Sequence, residues 1–471
     1  MIFRLIVAVL LFRLLTLGFY PLTDPTEGRY AEIGRLMMQL QDWITPRLSE
    51  TVPFWGKPPL TFWATASSLY VFGENEFAAR LPHFLMGVAV IWVLWGLVVR
   101  TVNARAAILT AGLLTAAVVF YVSAGAVMTD MALTLGCVLA MRGFWLAMDE
   151  TQPNRTREGY YFFIGLAIGL LSKGPLVLVV SLLPIGLWVL YRRQVFSMFK
   201  ALPWIKGSAL LLLIVLPWYI LAEIRTPGFI EYFIIGEHIQ RYLTPGWEGD
   251  LYATGRQRPY GTIWLFGLIA ALPWTVVLPV LAWRSRSDQP VVNQAPRAGW
   301  VPYLFLWAII PMVFFTLSSN VLITYVLPVL VPLAALGGSW LVRLQNVSRV
   351  DRTVAGGLVL TAVCSAAFIV YANTEKGQTL SARVATQACL AHAPDVQQII
   401  LLRVSADSAA FYSRGRTRAV DDDAEVSQAI KRNESLCVIL SPSSLRTLPE
   451  ATRSKLTELG MHGKYAVLAI K

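Results

Sequence analysis

Apolar stretches of about 20 residues recur along the whole chain, and nothing else limits its fold as strongly. A helix rising 1.5 Å per residue needs about 20 residues to cross roughly 30 Å of hydrocarbon. Eleven stretches are read as spans: residues 1–21, 82–99, 106–124, 130–148, 159–172, 175–191, 203–222, 260–283, 299–317, 322–342 and 355–372. The first, MIFRLIVAVLLFRLLTLGFY, is too long for a signal peptide and has no small-residue cleavage site, so it is expected to stay in the membrane. Only 14% of the 471 residues are charged and 56% are hydrophobic, whereas soluble domains carry about 25% charged residues. The expected fold class is an all-α polytopic membrane protein with about eleven transmembrane helices.

Charge placement orients these spans. Alternate connectors carry Arg100 and Arg105, then Arg155 and Arg157, then Arg192, Arg193 and Lys200, then Arg284, Arg286 and Arg297, then Arg343, Arg349 and Arg352. The short connectors AGAVMT and LSSN carry no basic residue. The positive-inside rule makes the first set cytoplasmic and puts the C-terminus outside, which needs an odd number of spans. The net charge of +12 then reflects cytoplasmic connectors, and no nucleic-acid partner is expected. The localisation expected is a bacterial inner (plasma) membrane, with a multi-pass domain over 1–372 and a periplasmic domain over 373–471. Residues 22–81 and 223–259 form outer loops.

The first outer loop holds two amphipathic pieces. In RYAEIGRLMMQL, Ile33, Leu36, Met37 and Leu40 follow helical spacing, which suits either a helix lying in the membrane interface or one packed on the protein. PPLTFWATASSLYVF reads similarly. The C-terminal segment alternates short β-branched runs with polar windows, as a small α/β domain does. Strands are expected at IILLRV, LCVIL and YAVLAI, helices at SADSAAFYS and SPSSLRTLPEATRSKLTEL, and a charged turn at DDDAEVSQAIKR. Cys389 and Cys437 either pair there or remain buried thiols.

The ionisable residues near the membrane all fall on the outer side. Asp130 opens the fourth span, Lys173 sits in the turn LSKGPL, and Glu27, Arg29 and Lys57 lie in the first loop. His238 and Arg241 lie in GEHIQRYLTPGW, and Tyr325 begins the tenth span. Each alone is explicable as a helix cap or a snorkelling cation. Together they suit a reaction on an anionic lipid, with cations for a phosphate and a carboxylate to take a proton from a hydroxyl.

Seven stretches in order, EGRYAEIGRLM…DWITPRL, FWGKPPLTFW, FGENEFAARLP, VMTDMAL, LSKGPL, EHIQRY and ITYVLPVLVPLA, cover about the first 345 residues. Through them the chain resembles the GT-C integral-membrane glycosyltransferases that use polyprenyl-phosphate sugar donors. It is most like the bacterial aminoarabinose transferase that modifies lipid A, and its protein O-mannosyltransferase relatives. The resemblance implies a first-loop catalytic carboxylate at an Asp-Glu pair, where this sequence has Thr26-Glu27. Either Glu27 takes that role or Asp24 does, from beyond Pro25; Glu27 is preferred, with Asp130 as the second carboxylate. It further implies that Arg29, Tyr30, Lys57, Lys173, His238, Arg241 and Tyr325 bind the donor and its lipid phosphate. The family's metal pair is a Glu before Lys-Pro and the His of EHIQR. Here the Glu is Gly56 and His238 remains, so a divalent metal is doubtful, because stable sites need three or four ligands.

The expected partners are a polyprenyl-phosphate sugar donor, a lipid or glycolipid acceptor and the bilayer. Alternatives are a protein O-glycosyltransferase or a flippase of lipid-linked sugars. A flippase would place its charges near the midplane in two related halves, and no such repeat is present.

Overall fold

The computed structural model describes residues 1–252, 257–286, 296–432 and 436–470. The first helices are α1 (Ile2–Leu15), α2 (Thr26–Leu40), α3 (Leu60–Phe72), α4 (Glu76–Thr101), α5 (Ala104–Ala116) and α6 (Val118–Ser123). Then follow α7 (Asp130–Ala147), α8 (Arg155–Lys173), α9 (Leu176–Tyr191), α10 (Val195–Ala201) and α11 (Trp204–Arg225). A π-helix over Glu231–Gln240 leads into α12 (Arg241–Leu243), α13 (Thr262–Ala270), α14 (Trp274–Arg284), α15 (Trp300–Thr316), α16 (Leu327–Leu341) and α17 (Val347–Ala372).

Helices occupy all eleven apolar stretches. Among the described residues, however, only five helical segments are long and apolar enough to cross a membrane on their own, or six if the bent pair α13–α14 counts as one. Several others are too short: α1 has 14 residues, α5 13, α9 16 and α15 17, about 20–26 Å of helix. Two expected spans are broken. Ala117 adopts an extended conformation between α5 and α6, and α13 meets α14 at 72°. The breaks meet each other, because the Val118 N–H donates to the Leu272 carbonyl at 2.9 Å. Backbone groups freed inside apolar surroundings need such partners.

The chain divides into two compact units that do not follow the single boundary expected at residue 372. One comprises Met1–Leu15, Phe54–Thr61 and Leu81–Val363; the other comprises Thr16–Pro53, Phe62–Arg80 and Cys364–Lys471. Most of the first outer loop thus groups with the C-terminal segment, because its helix α2 packs there.

In the first unit, α7 and α8 lie unusually close. Gly136 and Ala140 on α7 face Gly165 and Gly169 on α8, Gly143 faces the backbone of Glu158 and Phe162, and a Cβ at Gly136 would sit 2.7 Å from the Gly165 carbonyl oxygen. Small residues spaced in this way let membrane helices approach backbone to backbone. The start of α7 therefore meets the end of α8. By contrast, only 22% of the most apolar window of α11 is buried, and Leu213, Ile220 and Ile224 are exposed, as a lipid-facing helix requires. At connectors assigned to one side, ion pairs join Arg100 to Glu158 at 2.6 Å, Arg105 to Asp351 at 2.8 Å and Arg297 to Asp149 at 3.0 Å.

In the second unit, α18 (Arg383–His392) precedes β1 (Gln398–Leu402), α19 (Asp407–Tyr412), β2 (Thr417–Val420), α20 (Asp423–Lys431) and β3 (Leu436–Leu440). Next come α21 (Pro442–Thr447), α22 (Glu450–Arg453), β4 (Leu456–His462) and β5 (Tyr465–Ile470). The sheet order is β2-β1-β3-β5-β4, parallel across β2-β1-β3 and antiparallel beyond. Alternate strand residues feed two cores: Ile400, Val438 and Leu468 on one face, Ile399, Ile439 and Val467 on the other. Cys389 and Cys437 form a disulfide. Two expectations need correction. The expected charged turn is helix α20, which Asp422 caps by accepting from the Ala424 N–H at 2.9 Å. LTEL belongs to strand β4, not to a helix.

Helix α2 packs within this second unit. Ile33, Leu36 and Met37 are buried, but so are Glu32 and Arg35, whose ion pair spans 2.7 Å. With both faces covered, α2 is a packed helix and not one lying in the membrane interface.

Candidate active site

A cavity of about 400 Å³ opens in the first unit, with charge at one part of its wall and apolar side chains over the rest. Lys57, Lys173, Arg241, Glu237, His238 and Asn320 line the polar part; Leu176, Val179, Ile239, Leu243, Phe314 and Phe315 line the apolar part. Three cations and one carboxylate line the cavity.

Each charge is held by a specific local structure. The close α7–α8 packing brings Asp130, in the first turn of α7, to 2.5 Å from Lys173, in the last turn of α8. Both positions suit their helix dipoles, an acid at the N-terminus and a cation at the C-terminus. The Lys173 ammonium also lies 4.4 Å from the centre of the Tyr325 ring, a cation–π contact. The wide turns of the π-helix carry Glu237 and His238, and π-helices concentrate at functional sites. Glu237 accepts from Lys57 at 3.1 Å and from Arg241 at 2.9 and 3.0 Å. Burial pushes its pKa up, but the charges of Lys57 and Arg241 more than offset this and hold it below the usual carboxylate value. Asn320 donates to the Arg241 carbonyl at 2.8 Å.

Lys57, Lys173, His238, Arg241 and Tyr325 thus all line one cavity. Asp130 touches Lys173 and fixes that ammonium, which suits a positioning carboxylate better than a proton acceptor. The signal for Glu237 was adjacent to one already read, since it immediately precedes His238. Asn320 carried no sequence signal, because its partner Arg241 lies 79 positions away.

Glu27, Arg29 and Tyr30 belong to the other unit, and Glu27 is not placed as a base. Its two oxygens accept from Arg80 at 2.7 and 2.8 Å, and Oε2 also accepts from the backbone and hydroxyl of Thr23. Arg80 is fully buried and commits all five N–H donors, the other three to the Leu17, Tyr20 and Pro21 carbonyls. Burial alone would raise the Glu27 pKa, but Arg80 and Thr23 bring it below the ordinary value. A carboxylate that holds its charge this firmly is a poor proton acceptor. Glu27 is the counter-ion that pins the loop after α1.

Arg29 donates to Asp407 of α19 at 3.0 Å, and Tyr30 stacks edge-on against Phe62. Asp24 accepts from the Ser408 N–H at 2.6 Å and its hydroxyl at 2.8 Å. Burial nevertheless pushes the Asp24 pKa up to about 6.

A metal is poorly served here. Among the described residues, no group of three His, Cys, Asp or Glu side chains gathers around one point. His238 directs Nδ1 to the Phe233 carbonyl at 2.7 Å and Nε2 to the Lys173 carbonyl at 3.0 Å, so neither ring nitrogen offers a lone pair to the cavity.

Three comparisons bear on this geometry. The family model of dolichyl-phosphate-mannose-protein mannosyltransferase matches residues 2–233. An undecaprenyl phosphate-alpha-4-amino-4-deoxy-L-arabinose arabinosyl transferase from Aeromonas salmonicida (strain A449) is 32% identical over 332 residues, covering 69% of this chain and 57% of its own length. A relative with that description from Pseudomonas fluorescens (strain Pf0-1) is 29% identical over 394 residues, covering 79% of this chain and 64% of its own length. Among solved structures, ArnT from Cupriavidus metallidurans bound to undecaprenyl phosphate superposes with a TM-score of 0.81 at 21% identity, covering 99% of this chain and 97% of that one. The chain has the GT-C fold. This GT-C chain spans less than two thirds of the length of the curated relatives it matches. Its cavity lies within the unit that contains most of the family-matched residues.

Proposed function

We propose that this protein transfers a sugar from a polyprenyl-phosphate donor to a lipid A-type or other cell-envelope acceptor, inverting the anomeric centre. The observation that carries this reading is the cavity of the first unit, where Lys57, Lys173 and Arg241 meet beside an apolar wall. A lipid phosphate needs that combination: cations for its headgroup and apolar surface for its tail. In the reaction the acceptor oxygen bonds to the anomeric carbon as the carbon–oxygen bond to the lipid phosphate breaks. The departing phosphate gains negative charge, and fixed cations stabilise it electrostatically. An acceptor phosphate is already anionic and needs no base, so the commitment of Glu27 to Arg80 is compatible with a lipid A phosphate as acceptor.

The family-model match to protein mannosyltransferases favours a second reading, transfer to a protein hydroxyl. A flippase lacks comparable support. The disulfide Cys389–Cys437 and the alternation of basic connectors support an inner-membrane location with the C-terminal domain in the periplasm.

The test is a transfer assay on purified protein in nanodiscs with undecaprenyl-phosphate-linked aminoarabinose. Lipid A and a hydroxyl-bearing peptide serve as rival acceptors, and products are read by mass spectrometry. Labelled lipid A is expected. Glycosylated peptide alone would favour the second reading, and lipid translocation without transfer would favour the flippase.

A further inference from the structure

Around residue 56 the cavity wall is built so that an ammonium occupies the neighbourhood where the family resemblance places a metal. The family's metal-binding Glu position is Gly56 here, and the space a side chain would enter is filled. A Cβ at Gly56 would meet Phe54 Cζ at 2.8 Å and Tyr252 Cδ2 at 3.4 Å. Those two rings pack together with centroids 4.7 Å apart. Phe54 is buried, and the Tyr252 hydroxyl accepts from the Trp55 N–H at 2.9 Å. A Glu could not be restored here without moving a ring that already has a packed position.

Both remaining elements point the same way. The two ring nitrogens of His238 face carbonyl oxygens, as described above, and a metal-bound imidazole must direct one lone pair at the ion. Meanwhile the Lys57 ammonium donates to the Gly56 carbonyl and to Glu237 at 3.1 Å. Glu237 is also tied to Arg241, so it holds two cations at the polar end of the cavity. Positive charge at this wall is therefore covalently part of the chain.

We propose that the residues at this wall do not form a divalent-metal site and that the lipid phosphate is bound there without one, the place being held by the Lys57 ammonium between the Gly56 carbonyl and Glu237. The inference rests on the donor-site reading above.

The experiment uses the full chain in nanodiscs. Metal content is measured by elemental mass spectrometry, and binding of undecaprenyl phosphate is measured with EDTA, without additions, and with added Zn²⁺ or Mn²⁺. Well under one equivalent of metal is expected, with affinity unchanged within about twofold across the three conditions. Lys57→Met should weaken binding by about 10–100-fold, the range for loss of a charge-assisted contact, whereas Lys57→Arg should stay within about fivefold of wild type. One equivalent of bound metal, or affinity lost in EDTA and restored by Zn²⁺, would overturn the inference while leaving the donor-site reading intact. Wild-type protein that binds no undecaprenyl phosphate under any condition would overturn both. Wild-type affinity in a folded Lys57→Met protein would remove Lys57 from the role assigned to it.

Discussion

Replacing Glu27 with Gln distinguishes a base from a lock. The substitution keeps size and shape but removes the charge that balances Arg80. Arg80 is fully buried and Glu27 is 5% exposed, so water cannot compensate. Removing one partner of a buried pair costs about 3–5 kcal/mol. At about 2–4 °C per kcal/mol for a region of this size, the melting temperature should fall by about 6–20 °C. The assay is thermal unfolding of the purified protein in one detergent, followed by turnover per folded molecule below the transition. Turnover should stay within about tenfold of wild type. The double variant Glu27→Gln/Arg80→Met should recover part of the lost stability, because the two residues act as one pair and their effects are not additive. A Glu27→Gln protein that melts within about 2 °C of wild type yet turns over 10²–10⁴-fold more slowly would refute this reasoning, since that is the signature of a lost general base.

Asp24 should make stability depend on pH in the direction opposite to a salt-bridged acid. Its folded pKa of about 6 lies above the ordinary 3.8, so the folded state binds the proton more tightly; stability is greatest at low pH and falls as pH rises through about 6. Melting curves from pH 4.5 to 8 should show this slope, and Asp24→Asn should flatten it. Gly136→Ala should destabilise the protein by about 1–3 kcal/mol, because its Cβ would meet the Gly165 carbonyl oxygen at 2.7 Å; an unchanged melting temperature would show that α7 and α8 can separate freely. Lys173→Met should weaken undecaprenyl phosphate binding by about 10–100-fold, measured in nanodiscs against Lys200→Met as a control outside the cavity. Removing the Cys389–Cys437 disulfide, which closes a 48-residue separation, should cost about 4 kcal/mol, read as earlier proteolysis of the C-terminal sheet.

Much of the helical architecture was legible because a membrane-length apolar run has few alternative structures. Boundaries failed where a local break depends on a distant partner, as at Ala117, whose neighbour Val118 is satisfied by Leu272. In the C-terminal domain, β1, β3 and β5 announced themselves by β-branched content. Strand β2 did not, because of its four residues only Val420 is buried. Strand β4 was hidden by helix-forming Leu and Glu, and α20 by an Asp run that reads as a turn until one Asp is seen capping a helix. The cations of the site were legible singly, as charges where charge is costly. Their pairings were not, and neither was the match of Arg80 with Glu27, which spans 53 positions. That pairing decides whether Glu27 is a reagent or a strut.

The ion pairs among the basic connectors bear on how the molecule is made. Arg100 and Arg105 leave the ribosome early, but Arg100 must wait 58 residues for Glu158 and Arg105 must wait 246 for Asp351. At about 5–20 residues per second, that is roughly 3–12 s and 12–50 s. During that interval both arginines are unpaired with those carboxylates, available to hold their connector on one side of the membrane while later helices enter. Once Glu158 and Asp351 arrive, the same side chains become ties between connectors. Neutralising Asp351 should therefore weaken the finished protein without changing which way it was threaded, whereas neutralising Arg100 and Arg105 together should disturb the threading itself.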